Sequence, residues 1–206
     1  MKKMLLLLLL FSLPAVLQAQ DATAFIERAV AKLKADAAVH MDYCYSVYDV
    51  DGALLREDSG VMRIDGSRYS LLMDDMKVWC DGRTQWSYMK EVNEIYVTDA
   101  SSGEAQSLSP LSIMERCRSG FSATMSASGG KVVVAMQSPG DDTGISRVEL
   151  SFDGASCRLL SMKVFMTNNG RVEAVMTNYA AKCSFPKSSY TCPVADFTTA
   201  EVVDMR

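Results

Sequence analysis

The sequence predicts a mainly β fold of the α+β kind: an unclosed antiparallel β-barrel, a curved meander sheet of about ten strands with a helical lid on its concave face. Three observations carry this. Apolar and polar residues alternate at a period of two along most of the chain beyond residue 38. Short turn signals such as Asp51-Gly52, Asp65-Gly66, Asp81-Gly82 and Asn168-Asn169-Gly170 join these runs one after another. Two segments carry a helical period instead, and their apolar faces need a sheet to lie on.

The chain opens with Lys2 and Lys3, then an apolar run from Leu5 to Leu10, then Leu17-Gln18-Ala19 in a small-residue setting. That order is a secretory signal peptide over residues 1–19, cleaved near Ala19, which leaves one domain over 20–206. The apolar run is shorter than a bilayer span needs. Residues 21–35 read as a helix with Asp21 as N-cap and a stripe of Phe25, Ile26, Ala29, Val30 and Leu33. Strand one alternates through Val39, Met41, Tyr43, Tyr45 and Val47, and strand two runs from Leu54 to Ile64.

Tyr69, Leu71 and Met73 share one parity. Lys77 to Cys80, Gln85 to Tyr88 and Ile95 to Thr98 complete the first group of strands. Ser109-Pro110 starts a second helix, with Leu111, Ile113 and Met114 on its apolar side and Gly120 as its stop. Further strands follow around Ala123, Val134, Leu150, Met162 and Ala174, the last two joined by a type I′ turn at Asn168-Asn169-Gly170. On the strand before that turn, Leu160, Met162, Val164 and Met166 form the alternating set. The stretch from Tyr190 to Val203 has no period and reads as irregular.

Composition excludes several functions. The 206 residues hold 21 Lys+Arg against 25 Asp+Glu, a net charge of −4, which is the wrong sign for a nucleic-acid surface. The single histidine, His40, shares a strand face with Asp42, but no placed nucleophile accompanies the pair. Nucleophile-elbow, phosphate-loop, dinucleotide and zinc-helix motifs are absent. No catalytic residue, cofactor or metal site is therefore expected. The Asp74-Asp75 and Asp141-Asp142 pairs lack calcium-loop spacing and read as turn charges.

Six cysteines, at 44, 80, 117, 157, 183 and 192, fit an oxidising compartment, with no C-x-x-C pair among them. Sequence does not choose their pairing. Cys183 and Cys192, closest in sequence around a Pro-Lys-Ser-Ser turn, are the favoured pair, with buried free thiols as the alternative. Methionine is frequent, with 14 residues. It is flexible and polarizable, so it suits either a core or a cavity that accepts ligands of imprecise shape.

The run Trp79-Cys80-Asp81-Gly82-Arg83-Thr84-Gln85-Trp86-Ser87-Tyr88 is similar to the signature hairpin of the LolA-like periplasmic lipoprotein carriers, most of all those of Bacteroidetes-type bacteria. Residues 60–73 resemble the family's preceding strand pair, and Ser109 to Met114 its Pro-led lid helix. Asn178-Tyr179 and Glu201 to Asp204 resemble its last strands.

The resemblance covers the mature chain. It implies a non-enzymatic carrier in the periplasm whose apolar cavity holds the acyl chains of lipoproteins and shuttles them from inner to outer membrane. An inner-membrane release transporter would be the donor and an outer-membrane receptor the acceptor; the carrier would act as a monomer, without nucleic acid. The implied acyl-chain site comprises Phe25, Ile26 and Val30 of the first helix, Tyr69, Leu71 and Met73 of the sheet, and Leu111, Ile113 and Met114 of the lid. Gly66 and Ser67 stand where the family's lid-latching arginine falls, which leaves Arg63 and Arg68 nearby. A lipid- or lipoprotein-sensing regulator with the same fold is the alternative.

Overall fold

The computed structural model describes residues 13–101, 114, 121–140 and 144–206. Leu111, Ile113, Cys117 and the Asp141-Asp142 pair lie outside them. One long helix, α1 (Leu13–Ala35), leads into β1 (Val39–Tyr48), β2 (Leu54–Asp65), β3 (Arg68–Leu72), β4 (Met76–Cys80), β5 (Thr84–Met89) and β6 (Glu94–Asp99). Then come β7 (Ser122–Ser128), β8 (Lys131–Gln137), β9 (Ile145–Asp153), β10 (Leu159–Met166), β11 (Arg171–Ala180) and β12 (Glu201–Asp204). They form a single unclosed sheet of 12 strands in the order β12-β6-β5-β4-β3-β2-β1-β11-β10-β9-β8-β7. Every pairing is antiparallel except β12 on β6. The meander is thus two runs of hairpins, β1–β6 and β7–β11, joined where β11 pairs with β1.

Alternation sorts the side chains onto two faces. Val39, Met41, Tyr43 and Tyr45 of β1, Met62 and Ile64 of β2, Leu71 of β3 and Val78 of β4 join one core, the inner face. Val134, Met136, Val148, Leu150, Phe152 and Val164 extend it across the second run. Helix α1 lies on this inner face: Ala22, Phe25, Ile26, Ala29 and Val30 are buried, and the Phe25 ring meets Phe152 edge-on at 5.3 Å. The helix end is fastened by Asp36, which accepts hydrogen bonds from Lys32 and from Tyr179 of β11. Burial opposes ionisation of that carboxyl, yet the two donors outweigh it and hold its pKa below the ordinary value of 3.8.

The outer face carries a second core. Trp79, Ile95 and Val97 are buried there, with Leu72, Trp86 and Tyr88 around them, so both tryptophans point away from the inner core. The chain after β11 crosses this face. Phe197 packs on Trp79 at 5.9 Å and on Tyr88 at 4.5 Å, and Cys192 fills the same cluster. Tyr190 is fully buried at the end of a 3-10 turn, Lys187–Tyr190.

Several expectations need correcting. The stretch from Tyr190 to Val203, irregular by period, runs into β12, where the family resemblance places a last strand. That strand is held by a contact remote in sequence: Asn93 Nδ2 donates to the Thr199 carbonyl at 2.7 Å. Helix α1 begins at Leu13, so Asp21 is an interior residue and not its N-cap. The Asn168 turn is not type I′. Among its residues only Asn169 has positive φ (68°), and Met166 and Gly170 close a three-residue loop, with Asn168 Oδ1 accepting from the Gly170 amide.

On β10 it is Leu159, not Leu160, that is buried with Met162 and Val164, because the register with β9 shifts between Leu159 and Ser161. Cys183 and Cys192 are both free thiols. The 3-10 turn between them sends Cys192 into the outer core, while Cys183 contacts the Ala180 carbonyl beside β11.

One glycine has a packing reason. Gly60 faces Tyr43 across the β1–β2 ladder, and a Cβ there would lie 2.3 Å from the tyrosine oxygen. The bare backbone at 60 is what lets the ring lie across β2. Gly60→Ala should therefore lower stability by about 1–3 kcal/mol, measured by urea unfolding, with an unchanged far-UV circular dichroism spectrum.

Candidate functional site

Helix α1 leaves part of the inner face uncovered, and the sheet curls there around an open cavity of about 700 Å³, solvent at its mouth included. Six strands adjacent in the sheet supply the walls: β4, β3, β2, β1, β11 and β10. Tyr43, Tyr45 and Val47 form the floor on β1, opposite Met176, Ala174 and Val172 of β11 in direct register. Met62 and Leu71 continue one wall, the β3–β4 turn adds Met73, the start of β4 adds Met76, and Met162 closes the other side. Five of the twelve lining residues are methionine.

Polarity is confined to one edge. Among the described residues Asp75 is the only charged one in the lining. It accepts a hydrogen bond from the Tyr45 hydroxyl at 3.2 Å and pairs with Arg56 Nη1 at 2.7 Å. Arg56 also holds Asp58, while Asp74 pairs with Lys90 at 2.9 Å. Successive inward positions on β2 pass from Ile64 and Met62 through Gly60 to Asp58 and Arg56, which is a gradient from core to charged rim. Burial and the neighbouring Asp75 charge raise the Tyr45 pKa to about 12, so its hydroxyl remains a donor.

Of the expected site residues that are described, Leu71 and Met73 line this cavity. Phe25, Ile26 and Val30 sit in the packed core beneath α1. Met114 is buried against a separate small crevice with Ala29, Leu33, Met41 and Phe152. Tyr69 packs against the inner core, and its hydroxyl donates to Gln85 on β5. Leu111 and Ile113 are outside the described residues. Sequence reasoning missed Tyr43, Tyr45, Met62, Met76, Met162 and Met176. The signal for the first three was present as the inward parity of β1 and β2.

The two arginines near the latch position turn away from the cavity. Arg63 stacks over Phe185 at 5.6 Å and Arg68 over Tyr190 at 5.2 Å, both on the segment that crosses the outer face. His40 hydrogen-bonds Asp42 at 2.9 Å, and Asn178 of β11 donates to the same carboxylate, so this group ties β1 to β11. Among the described residues no metal-ligating cluster exists, and no helix is long and apolar enough to cross a membrane.

One solved structure shares this architecture, and two others align more loosely. An uncharacterized conserved protein from Thermus thermophilus aligns with a TM-score of 0.59 at 9% identity, over 89% of this chain and 99% of its own. A LolA superfamily protein from Nitrosomonas europaea aligns with a TM-score of 0.45 at 9% identity, over 86% and 99%. A Vibrio parahaemolyticus domain described as a putative outer membrane lipoprotein-sorting protein gives 0.45 at 9%, over 87% and 99%. Among curated proteins none matches by sequence. The family model for the outer membrane lipoprotein carrier protein LolA matches residues 20–168, and with that match over most of its length the chain belongs to this family.

Proposed function

We propose that the protein is a periplasmic carrier that shields the acyl chains of lipoproteins in the methionine-lined cavity and hands them from an inner-membrane transporter to an outer-membrane receptor. The observation that carries this is the lining itself: apolar on both walls, polar at one edge, and set in a sheet that leaves it open. Each methylene moved from water to such a wall contributes roughly 0.8 kcal/mol, so one long acyl chain gains on the order of 10 kcal/mol. That is enough to hold a lipid tail in water. Methionine walls adapt to chains of differing length and unsaturation, which suits a carrier of many cargoes. The reading needs no catalytic group, and it makes the carrier a monomer exported through its leader sequence.

Native mass spectrometry of the protein isolated from its own periplasm tests this. Co-purified masses that match acylated proteins are the expected result. A cargo-free protein that also fails to take an acyl probe overturns the proposal.

A further inference from the structure

The edge of the cavity carries a sign. Asp75 lines it with 46% of its side chain exposed, while the other described lining residues are apolar or tyrosine. Its place is fixed by the backbone: the Met73 amide donates to the Met76 carbonyl across the β3–β4 turn, and the Lys90 amide donates to the Asp75 carbonyl at 2.8 Å. Arg56 pairs with Asp75 but does not line the cavity, and it is shared among Asp75 at 2.7 Å, Asp58 at 3.0 Å and Asp74 at 3.9 Å. Lys90 answers Asp74. This ion-paired group therefore sets three carboxylates against two cations and is net negative, with a carboxylate on the cavity side. Its field acts on the lining: burial, and after it the Asp75 charge, opposes ionisation of Tyr45. A second anion placed beside Asp75 meets the same opposition.

We propose that Asp75 selects the cargo by the charge of its head: the cavity takes acyl chains that end in a neutral ester or amide, or in a cation, and discriminates against free fatty-acid anions. This rests on the acyl-chain reading of the cavity and adds a ligand class to it. A tail lying among Met62, Met162 and Met176 leaves its head at the polar edge, because a carboxylate set against the methionine walls would lose its hydration and gain no partner. At that edge it meets Asp75, whose charge Arg56 only partly offsets, since Arg56 also serves Asp58 and Asp74. An ester or amide brings no charge to repel. Fatty acids with the same tail then compete poorly with acylated cargo.

The test uses the whole purified protein and displacement of a fluorescent apolar dye by laurate, methyl laurate and dodecyltrimethylammonium. These offer tails of similar length with an anionic, a neutral and a cationic head, and the readout is each affinity relative to methyl laurate. Asp75→Asn should raise the relative affinity of laurate about threefold to tenfold, the scale of one like charge at a partly solvated edge, and lower that of the cation. Asp75→Glu keeps the charge and should keep the wild-type ratios. Added salt should move laurate on wild-type protein in the same direction as Asp75→Asn, by screening, and that measurement needs no variant to fold. An Asp75→Asn protein with wild-type ratios, or a wild-type ratio of laurate to methyl laurate that salt does not change, overturns the charge selection and leaves the acyl-chain reading standing. Wild-type protein that binds none of the three ligands sinks that reading, and this inference with it.

Discussion

Phe152→Ala should lower the unfolding free energy by about 3–5 kcal/mol. Phe152 is fully buried and sits where helix α1 meets the sheet. Its edge-on contact with Phe25 at 5.3 Å adds aromatic pairing to the burial of a large side chain. Its strand neighbours, Val132 of β8 and Leu159 of β10, are fixed by the ladder and cannot move in to fill the gap. For a chain of this size such a loss lowers the melting temperature by on the order of 10 °C. Calorimetry measures it, with Leu55→Ala as the control. Leu55 is 65% exposed, so its truncation should change stability by less than about 0.5 kcal/mol. A Phe152→Ala loss as small as the control's would show that α1 does not complete the inner core.

The two-residue period made the meander legible because a half-buried antiparallel sheet enforces it. On β1 the inward set Val39, Met41, Tyr43, Tyr45 and Val47 follows directly from alternation. What alternation leaves open is which apolar face meets protein and which meets solvent or ligand. Phe25, Ile26 and Val30 and the methionines of β10 and β11 are equally apolar in sequence. Only the position of α1 on the inner face separates packed core from open wall.

The outer core was hidden for a different reason. Trp79, Trp86 and Tyr88 are visible as one face, but their cover comes from Cys192 and Phe197, about a hundred residues away in sequence and carrying no periodic signal. Likewise β12 is short and pairs in parallel, so no hairpin turn announces it. Local pattern encodes the strands, and remote contacts decide what each face does.

Met73→Glu and Met176→Glu follow from that distinction and should each weaken an acyl probe by roughly 30- to 150-fold, or about 2–3 kcal/mol. Met73 is in the β3–β4 turn and Met176 is on β11, so the two variants approach the cavity from opposite walls. Both side chains are only partly buried, which lets a glutamate keep contact with solvent at the mouth and spares the fold. The bound chain has no such escape, since its methylenes would lie against a carboxylate and its hydration shell. Met176→Leu keeps the wall apolar at similar volume and should retain binding within a few-fold. Fluorescence titration with a fatty-acyl probe measures these affinities, and circular dichroism checks folding. If both glutamate variants bind like wild type while remaining folded, acyl chains do not occupy this cavity. If only Met73→Glu binds normally, the chain lies along β10 and β11 and leaves the β3–β4 turn free.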